Sequence, residues 1–212
     1  MIDPLSLAVS TLVLAISAVT AWLTLFRRGT VKMTQPTVIF FGPDTPRSPN
    51  EKPLPKIYLR TLLFATSKRG RVVESMHVSL SRNETHQNFI VWVYGEHNRL
   101  VRGSGLFVGE TGVSANHHFL TPNDGNAFRF TEGHYQIEVY AKLLGDRTPL
   151  NVFSQALNIP YDIAVALQEG STGLYFDWGP DSTRYLLHTE KRSPSPNADD
   201  FFGFLDGLAA TK

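Results

Sequence analysis

The chain has 212 residues, with 20 basic and 19 acidic side chains and a formal net charge of +1. This balance excludes the strong positive field of a typical nucleic-acid-binding protein, and the absence of cysteine excludes a disulfide-stapled scaffold. The 14 Phe, 7 Tyr, 16 Gly and 13 Pro favour strands and turns over helices.

The first element is an apolar run over residues 4–26, with no charged side chain between Asp3 and Arg27. As a helix it would reach roughly 34 Å, enough for a hydrocarbon core of about 30 Å. We predict a single-pass transmembrane anchor over residues 1–28. Two alternatives are a signal peptide cleaved after Val19-Thr20-Ala21 and a helix buried in a core.

Basic residues follow this run at Arg27, Arg28 and Lys32, and none precedes it. Because Lys and Arg near a span stay on the cytoplasmic side, the N-terminus is expected outside and the body in the cytoplasm, on the cell inner membrane.

Small hydroxyl side chains recur along one stripe of the predicted helix. Such residues let membrane helices approach closely, which predicts a packing face for self-association or for a partner helix. The alternative is that the hydroxyls bond their own backbone carbonyls. The stripe consists of Ser6, Ser10, Ser17, Thr20 and Thr24.

A juxtamembrane link is predicted over 29–36 and a β-sandwich domain over 37–190. Its strands recur every ten to fifteen residues or so, each closed by a turn signal. A short helix is predicted over 160–169, with Asp162 as N-cap and Gly170 as its stop, and the aromatic segment 173–181 is expected to pack onto the sandwich. The strands are predicted at 37–41, 56–67, 72–82, 88–94 (a central strand covered on both faces), 100–108, 113–120, 134–144 and finally 150–159.

Residues 131–137 resemble the start of strand F in an immunoglobulin-like domain. Tyr135 occupies the position of the tyrosine that caps the corner, and Ile137 stands where the disulfide cysteine would be. The alternative is an ordinary Gly-x-Tyr at the start of a strand. The predicted fold is all-β: an immunoglobulin-like antiparallel β-sandwich with one N-terminal transmembrane helix and a short C-terminal helix and tail.

The last segment, 191–212, is predicted to be a flexible tail with an acidic–hydrophobic stretch. Phe201 and Phe202 in this stretch are candidates for insertion into a partner's groove, or they return to their own domain.

No motif for catalysis, cofactor binding or metal binding is found, so none of these sites is predicted and no cofactor is expected. His117 and His118 are adjacent, so on a strand they face opposite ways and cannot readily share a metal ion. Gly103 to Gly109 has one residue too many for a dinucleotide fingerprint. The side chains proposed as partner or ligand contacts are His117, His118, Trp92, Tyr175, Trp178, Phe201 and Phe202.

Three segments, 27–44, 116–120 and 175–181, resemble an uncharacterised group of bacterial proteins with one N-terminal membrane helix. The resemblance implies a bacterial origin and a single-pass anchor, and it supplies no activity. The preferred hypothesis is a membrane-anchored, non-enzymatic interaction or scaffold protein. The alternatives are a small-molecule or glycan-binding module using exposed aromatics, and a hydrolase using His117 and His118.

Overall fold

The computed structural model describes residues 3–44, 53–96, 99–122, 128–170 and 172–191. Its first element is helix α1 (Pro4–Ala21), which continues into a π-helical turn (Trp22–Phe26). Asp3 caps the helix, because its carboxylate accepts from the Leu5 N–H at 3.1 Å, and Pro4 supplies a preset first helical position. The segment Pro4–Thr24 is long and apolar enough to cross a membrane, and no part of it is buried against the body.

The rest of the described chain forms two antiparallel sheets and one short helix, α2 (Tyr161–Gln168). The smaller sheet contains β4 (Arg71–Arg82), β5 (Thr85–Phe89), β8 (Leu106–Val108), β10 (Gly133–Leu143) and β11 (Leu150–Ile159). The larger sheet contains β1 (Val31–Met33), β2 (Val38–Pro43), β3 (Pro55–Ala65), β6 (Val91–Glu96), β7 (Arg99–Arg102), β9 (Val113–Leu120), β12 (Thr172–Gly179) and β13 (Arg184–Lys191).

The order of strands in the larger sheet is β13-β12-β2-β3-β9-β6-β7, with β1 also paired to β3. The order in the smaller sheet is β11-β10-β4-β5, with β8 also paired to β4. One hydrophobic core lies between the two sheets. For example, the ring of Phe41 from β2 lies 6.3 Å from that of Tyr135 on β10.

Strand β10 shows how alternation of apolar and polar residues produces a strand with one buried face. Its alternate residues are buried in the shared core, as the sequence predicts, while the residues between them are more exposed. The buried set is Tyr135, Ile137, Val139, Ala141 and Leu143.

The predicted single strand over 88–94 is wrong, because the chain changes sheet within it. Strand β5 ends at Phe89 in the smaller sheet, Ile90 is exposed, and β6 begins at Val91 in the larger sheet. Phe89 and Trp92 are both buried in the one core, reached from opposite sheets. Two strands, each burying one face, therefore give the same uninterrupted apolar run as one strand buried on both faces.

The predicted strand over 100–108 is divided in the same way. Strand β7 belongs to the larger sheet and β8 to the smaller one, and residues 103–105 connect them. Gly105 has φ +134°, a left-handed conformation that favours glycine.

Strand β11 is not the last strand, contrary to the prediction. The aromatic segment near 173–181 forms β12, which pairs with β2 and brings Leu174 and Phe176 into the core. Strand β13 then pairs with β12 as the outermost strand of the larger sheet in the described order. Before them, α2 begins after Pro160 rather than after the predicted cap Asp162, and the chain leaves the helix at Gly170 with φ +76°.

Residues 29–36, predicted to be a link, are part of the body. Strand β1 pairs with the end of β3, Val31 opposite Ala65. Because Val31 is buried in the core, this segment is fixed by packing as well as by hydrogen bonds.

Candidate functional site

The outer face of the larger sheet, the face turned away from the shared core, carries a row of aromatic and imidazole side chains. These residues are paired across successive strands, so their side chains project from the same face. We call this set the aromatic row; across β13, β12, β2, β3 and β9 it consists of His188, Tyr175, Phe40, Tyr58 and His118.

The centre of the row is a ring that covers two glycines. Phe40 is only 1% exposed. A Cβ added at Gly42 or Gly173 would lie 2.5 or 2.3 Å from the Phe40 ring, so only glycine leaves room for it. On one side of Phe40 the Tyr175 ring lies at 4.9 Å. Packing against Gly42, Gly173 and Tyr175 therefore fixes the position of the Phe40 ring at the centre of the row.

The two ends of the row differ. At the β13 end the rings of Tyr175 and His188 stack at 4.9 Å and 5°. At the β9 end Tyr58 and His118 lie 4.9 Å apart at 43°. Burial raises the pKa of the Tyr58 hydroxyl, which donates to Oδ1 of Asn116 at 3.1 Å. Tyr58 is therefore un-ionised at neutral pH and acts as a hydrogen-bond donor.

Acidic side chains surround the exposed end of the row. Nδ1 of His188 lies 2.8 Å from Oδ2 of Asp177, and its Nε2 lies 3.8 Å from Oε1 of Glu190. All three side chains are partly exposed. This group presents polar, hydrogen-bonding chemistry at the edge of the sheet.

Strand β13 itself is mostly uncovered. Tyr185 holds its start to the body, since its buried hydroxyl donates to the Pro36 carbonyl at 2.9 Å and accepts from Gln35 at 3.0 Å. Beyond Tyr185 the strand is exposed to its end. Leu186 on the outer face is 49% exposed and Leu187 on the inner face 40%.

The histidine pair faces opposite ways, as alternation predicts. His118 lies in the outer row, whereas His117 is fully buried and its Nδ1 accepts from Trp92 Nε1 at 3.1 Å. Burial lowers the pKa of His117 to about 4. His117 is therefore neutral at pH 7, and neither it nor Trp92 offers a surface to a ligand.

The other candidate contacts are placed as follows. Tyr175 lies in the aromatic row. Trp178 faces inward and packs edge-on against Tyr185, with ring centres 5.1 Å apart. Phe201 and Phe202 lie outside the described residues.

The stripe on α1 bonds in large part to its own helix. Ser10, Thr20 and Thr24 donate to carbonyls four residues earlier, each at 2.8 Å. Ser6 and Ser17 share the same exposed helix surface. These bonds satisfy the hydroxyls without a second helix, so a packing role for the stripe stays a prediction.

Sequence reasoning missed Phe40, Tyr58, Leu186, Leu187 and His188. A signal was present for the first two, since each lies between core residues of a predicted strand and so faces outward. No local signal marked β13, because its leucines are adjacent and charged residues interrupt its apolar alternation.

The fold and this surface define a class: a two-sheet antiparallel β protein with an N-terminal apolar helix. Within the described ranges, no group of three or more His, Asp or Glu side chains is arranged to hold a metal ion. Comparisons of the chain with protein-family models, curated proteins and solved structures find no match to any of them.

Proposed function

We propose that this chain is a membrane-anchored, non-enzymatic interaction protein. Its body is an immunoglobulin-like sandwich held at the cytoplasmic face of a bacterial inner membrane, and it binds an extended segment of a protein partner along β13. The observation that carries this proposal is the edge of β13, which pairs with no further strand among the described residues and has exposed leucines on both faces.

Anchoring is supported by the helix and its flanking charges. Pro4–Thr24 could cross a membrane, and Arg27, Arg28 and Lys32 follow it. These basic residues favour a cytoplasmic body by the positive-inside rule.

The immunoglobulin-like assignment is supported by strand pairing. Strands β2, β3, β9 and β6 are neighbours in the order A-B-E-D, while β11, β10, β4 and β5 follow the order G-F-C-C′. The tyrosine hydroxyl at the start of β10 also bonds back to the chain, since Tyr135 accepts from the Thr131 N–H and donates to its carbonyl, both at 2.9 Å. In this assignment β12 and β13 extend the sheet beyond strand A.

An open edge strand favours a strand-like partner. No further described strand pairs with the outer edge of β13, so its outward backbone groups can continue the sheet, and alternate side chains then give specificity. Leu186 and Leu187 would pack on either side of an added strand, and His188 with Asp177 would supply polar contacts. Exposed charges on β13, such as Glu190 and Lys191, disfavour indiscriminate pairing.

The direct test is site-specific photo-crosslinking in native membranes. A photoreactive amino acid is placed at Leu186, and at Glu84 in the turn after β4 as the control. We expect a discrete crosslinked protein from position 186, lost when Leu187→Lys is added, and none from position 84. Equal or absent crosslinking at both positions would overturn the proposal.

The glycan or small-molecule alternative is supported by Tyr175, which stacks on His188 at the exposed end of the aromatic row. Binding of an oligosaccharide panel that is lost in Tyr175→Ala, without a protein crosslink at 186, would favour it.

The side of the membrane on which the body lies can be tested separately. Because the chain has no cysteine, Glu84→Cys provides a single labelling site. A membrane-impermeant maleimide should label it only after permeabilisation; labelling in intact cells would place the body outside.

A further inference from the structure

The helix is joined to the body by a short and fixed connection. Gly29, three residues after Phe26, donates from its N–H to Ser67 Oγ at 3.2 Å, and its carbonyl accepts from Arg71 at 2.8 Å. The Thr66 N–H donates to the Thr30 carbonyl at 2.9 Å. The end of the body that carries residues 66–71 is therefore held close to the end of the helix.

Three segments meet at this end, which we call the junction end. They are the β3–β4 turn, the start of β4 with β8 beside it, and the turn after β10. Phe107 of β8 pairs with Val72, and the Leu144 N–H donates to the Val72 carbonyl at 2.9 Å. The apolar side chains of this region lie beside its basic ones.

An open pocket of about 280 Å³ lies at the junction end. Arg28, Arg69 and Arg71 line it, together with Phe107 and Leu144. The two apolar side chains are 61% and 60% exposed, although Phe107 lies within β8 and Leu144 directly follows β10. A pocket with guanidinium groups and an apolar rim suits a ligand that has an anionic head and an apolar body.

The charge of this pocket is only partly neutralised. Arg71 pairs with Asp146 at 2.7 Å. No ion pair is found for Arg28, Lys68 or Arg69 among the described residues. Glu110 is exposed on the neighbouring 109–112 turn, so basic charge exceeds acidic charge at this end.

We infer that the junction-end pocket binds the phosphate of an anionic phospholipid, with Phe107 and Leu144 entering the headgroup region. This inference rests on the proposed membrane anchor, because the short connection from Phe26 to Gly29 brings the pocket to the headgroup level. Anionic lipid attracts juxtamembrane basic residues, and exposed apolar side chains beside them add burial in the interface. The lipid contact would fix the body in one orientation relative to the membrane and leave β13 accessible.

The test uses the full chain in nanodiscs of phosphatidylcholine alone or with about one third phosphatidylglycerol. An environment-sensitive fluorophore is attached at Phe107→Cys, and at Glu84→Cys as the control at the opposite end of β4. We expect a blue shift and an intensity gain at position 107 that depend on phosphatidylglycerol, and no change at position 84. Equal spectra at position 107 in the two lipid mixtures would overturn the inference.

Charge variants test whether the lipid dependence comes from the pocket or from general charge attraction. In the Phe107→Cys background, Arg69→Gln removes a charge that lines the pocket and should raise the phosphatidylglycerol fraction needed for the half-maximal change by about fivefold. Arg129→Gln removes an exposed arginine ahead of β10, at the other end of the body, and should have no effect. An equal effect from Arg129→Gln would show general charge attraction in place of a pocket.

Three outcomes distinguish the lipid inference from a free-anion site and from failure of the proposed anchor. If inorganic phosphate in detergent produces the same spectral change, the pocket is a free-anion site and the lipid inference fails. If the chain does not co-purify with nanodiscs, the anchor proposal fails and the inference fails with it. If the chain incorporates but shows no lipid dependence, only the inference fails.

Discussion

The indole Nε1–H of Trp92 donates to Nδ1 of His117 at 3.1 Å, inside the core between the two sheets. This bond places the proton of the neutral imidazole on Nε2, which has no hydrogen-bond partner among the described residues. Protonation of Nδ1 would place two N–H donors against each other and remove this hydrogen bond. The pair therefore favours the neutral form of His117.

We predict that acid weakens the fold through His117. Burial lowers the pKa of this group from 6.5 to about 4. Between these values the unfolded chain binds a proton that the folded chain does not, so the free energy of unfolding falls as pH decreases, by about 3 kcal/mol in total. Urea unfolding of the full chain in a mild detergent, between pH 7 and pH 4, measures this slope.

His117→Asn keeps an acceptor for Trp92 and removes the titration, so its stability should depend less steeply on pH. His86→Asn, at an exposed position, is the control and should keep the slope of the unaltered chain. An unchanged slope in His117→Asn would contradict the prediction.

We predict that Tyr135→Phe destabilises the body by about 1–3 kcal/mol. The substitution removes the hydroxyl that both accepts from and donates to the Thr131 backbone, and it leaves those partly buried groups without their partner. Tyr140→Phe on the same strand loses only a bond to Glu138 at 3.1 Å and should cost less. If urea unfolding shows that both variants lose the same free energy of unfolding, the hydrogen bonds of Tyr135 to the Thr131 backbone contribute no more than the bond of Tyr140 to Glu138, and the prediction is wrong.

We predict that Gly103→Ala is destabilising although its position lies on a connection between strands. A Cβ there would lie 2.0 Å from Cε3 of the buried Trp92 ring, so the ring must move within a packed core, at a cost of about 1–3 kcal/mol. Gly95→Ala in neighbouring β6 meets nothing within 4 Å and should change the free energy of unfolding by less than about 0.5 kcal/mol. A similar loss in both variants would point to backbone flexibility and away from ring contact.

We predict that Gly29→Ala loosens the junction between helix and body. A Cβ at this position would lie 2.6 Å from Cβ of Ser67. Hydrogen exchange of the Thr30 and Thr66 amides, whose bonds at 2.9 Å close the junction, should become faster. Gly109→Ala at the same end has its nearest contact at 3.8 Å and should leave exchange unchanged. Unchanged exchange rates in Gly29→Ala would contradict the prediction, because they would show that the added Cβ is accommodated with the hydrogen bonds of Thr30 and Thr66 intact.

Part of the aromatic row could be predicted from the sequence. Tyr175 was selected as an aromatic contact, and the outward direction of Tyr58 follows from its place between Ile57 and Leu59. The row could not be predicted, because it depends on the register of residues far apart in the chain, such as Phe40 opposite both Tyr58 and Tyr175. The same reason applies to Trp92, which was expected at a surface and instead bonds to His117.

What the sequence determined by itself is local. The uncharged run after Asp3 specifies the long helix, the alternation over 134–144 specifies which side of β10 is buried, and Tyr135 follows a Gly that marks the start of its strand. Only the tertiary structure decided that the chain changes sheet at Ile90, that β12 and β13 extend the larger sheet, and that Gly29 is tied to Ser67. Periodicity reports which residues share a face, whereas the sheet to which that face belongs depends on hydrogen bonds between distant strands.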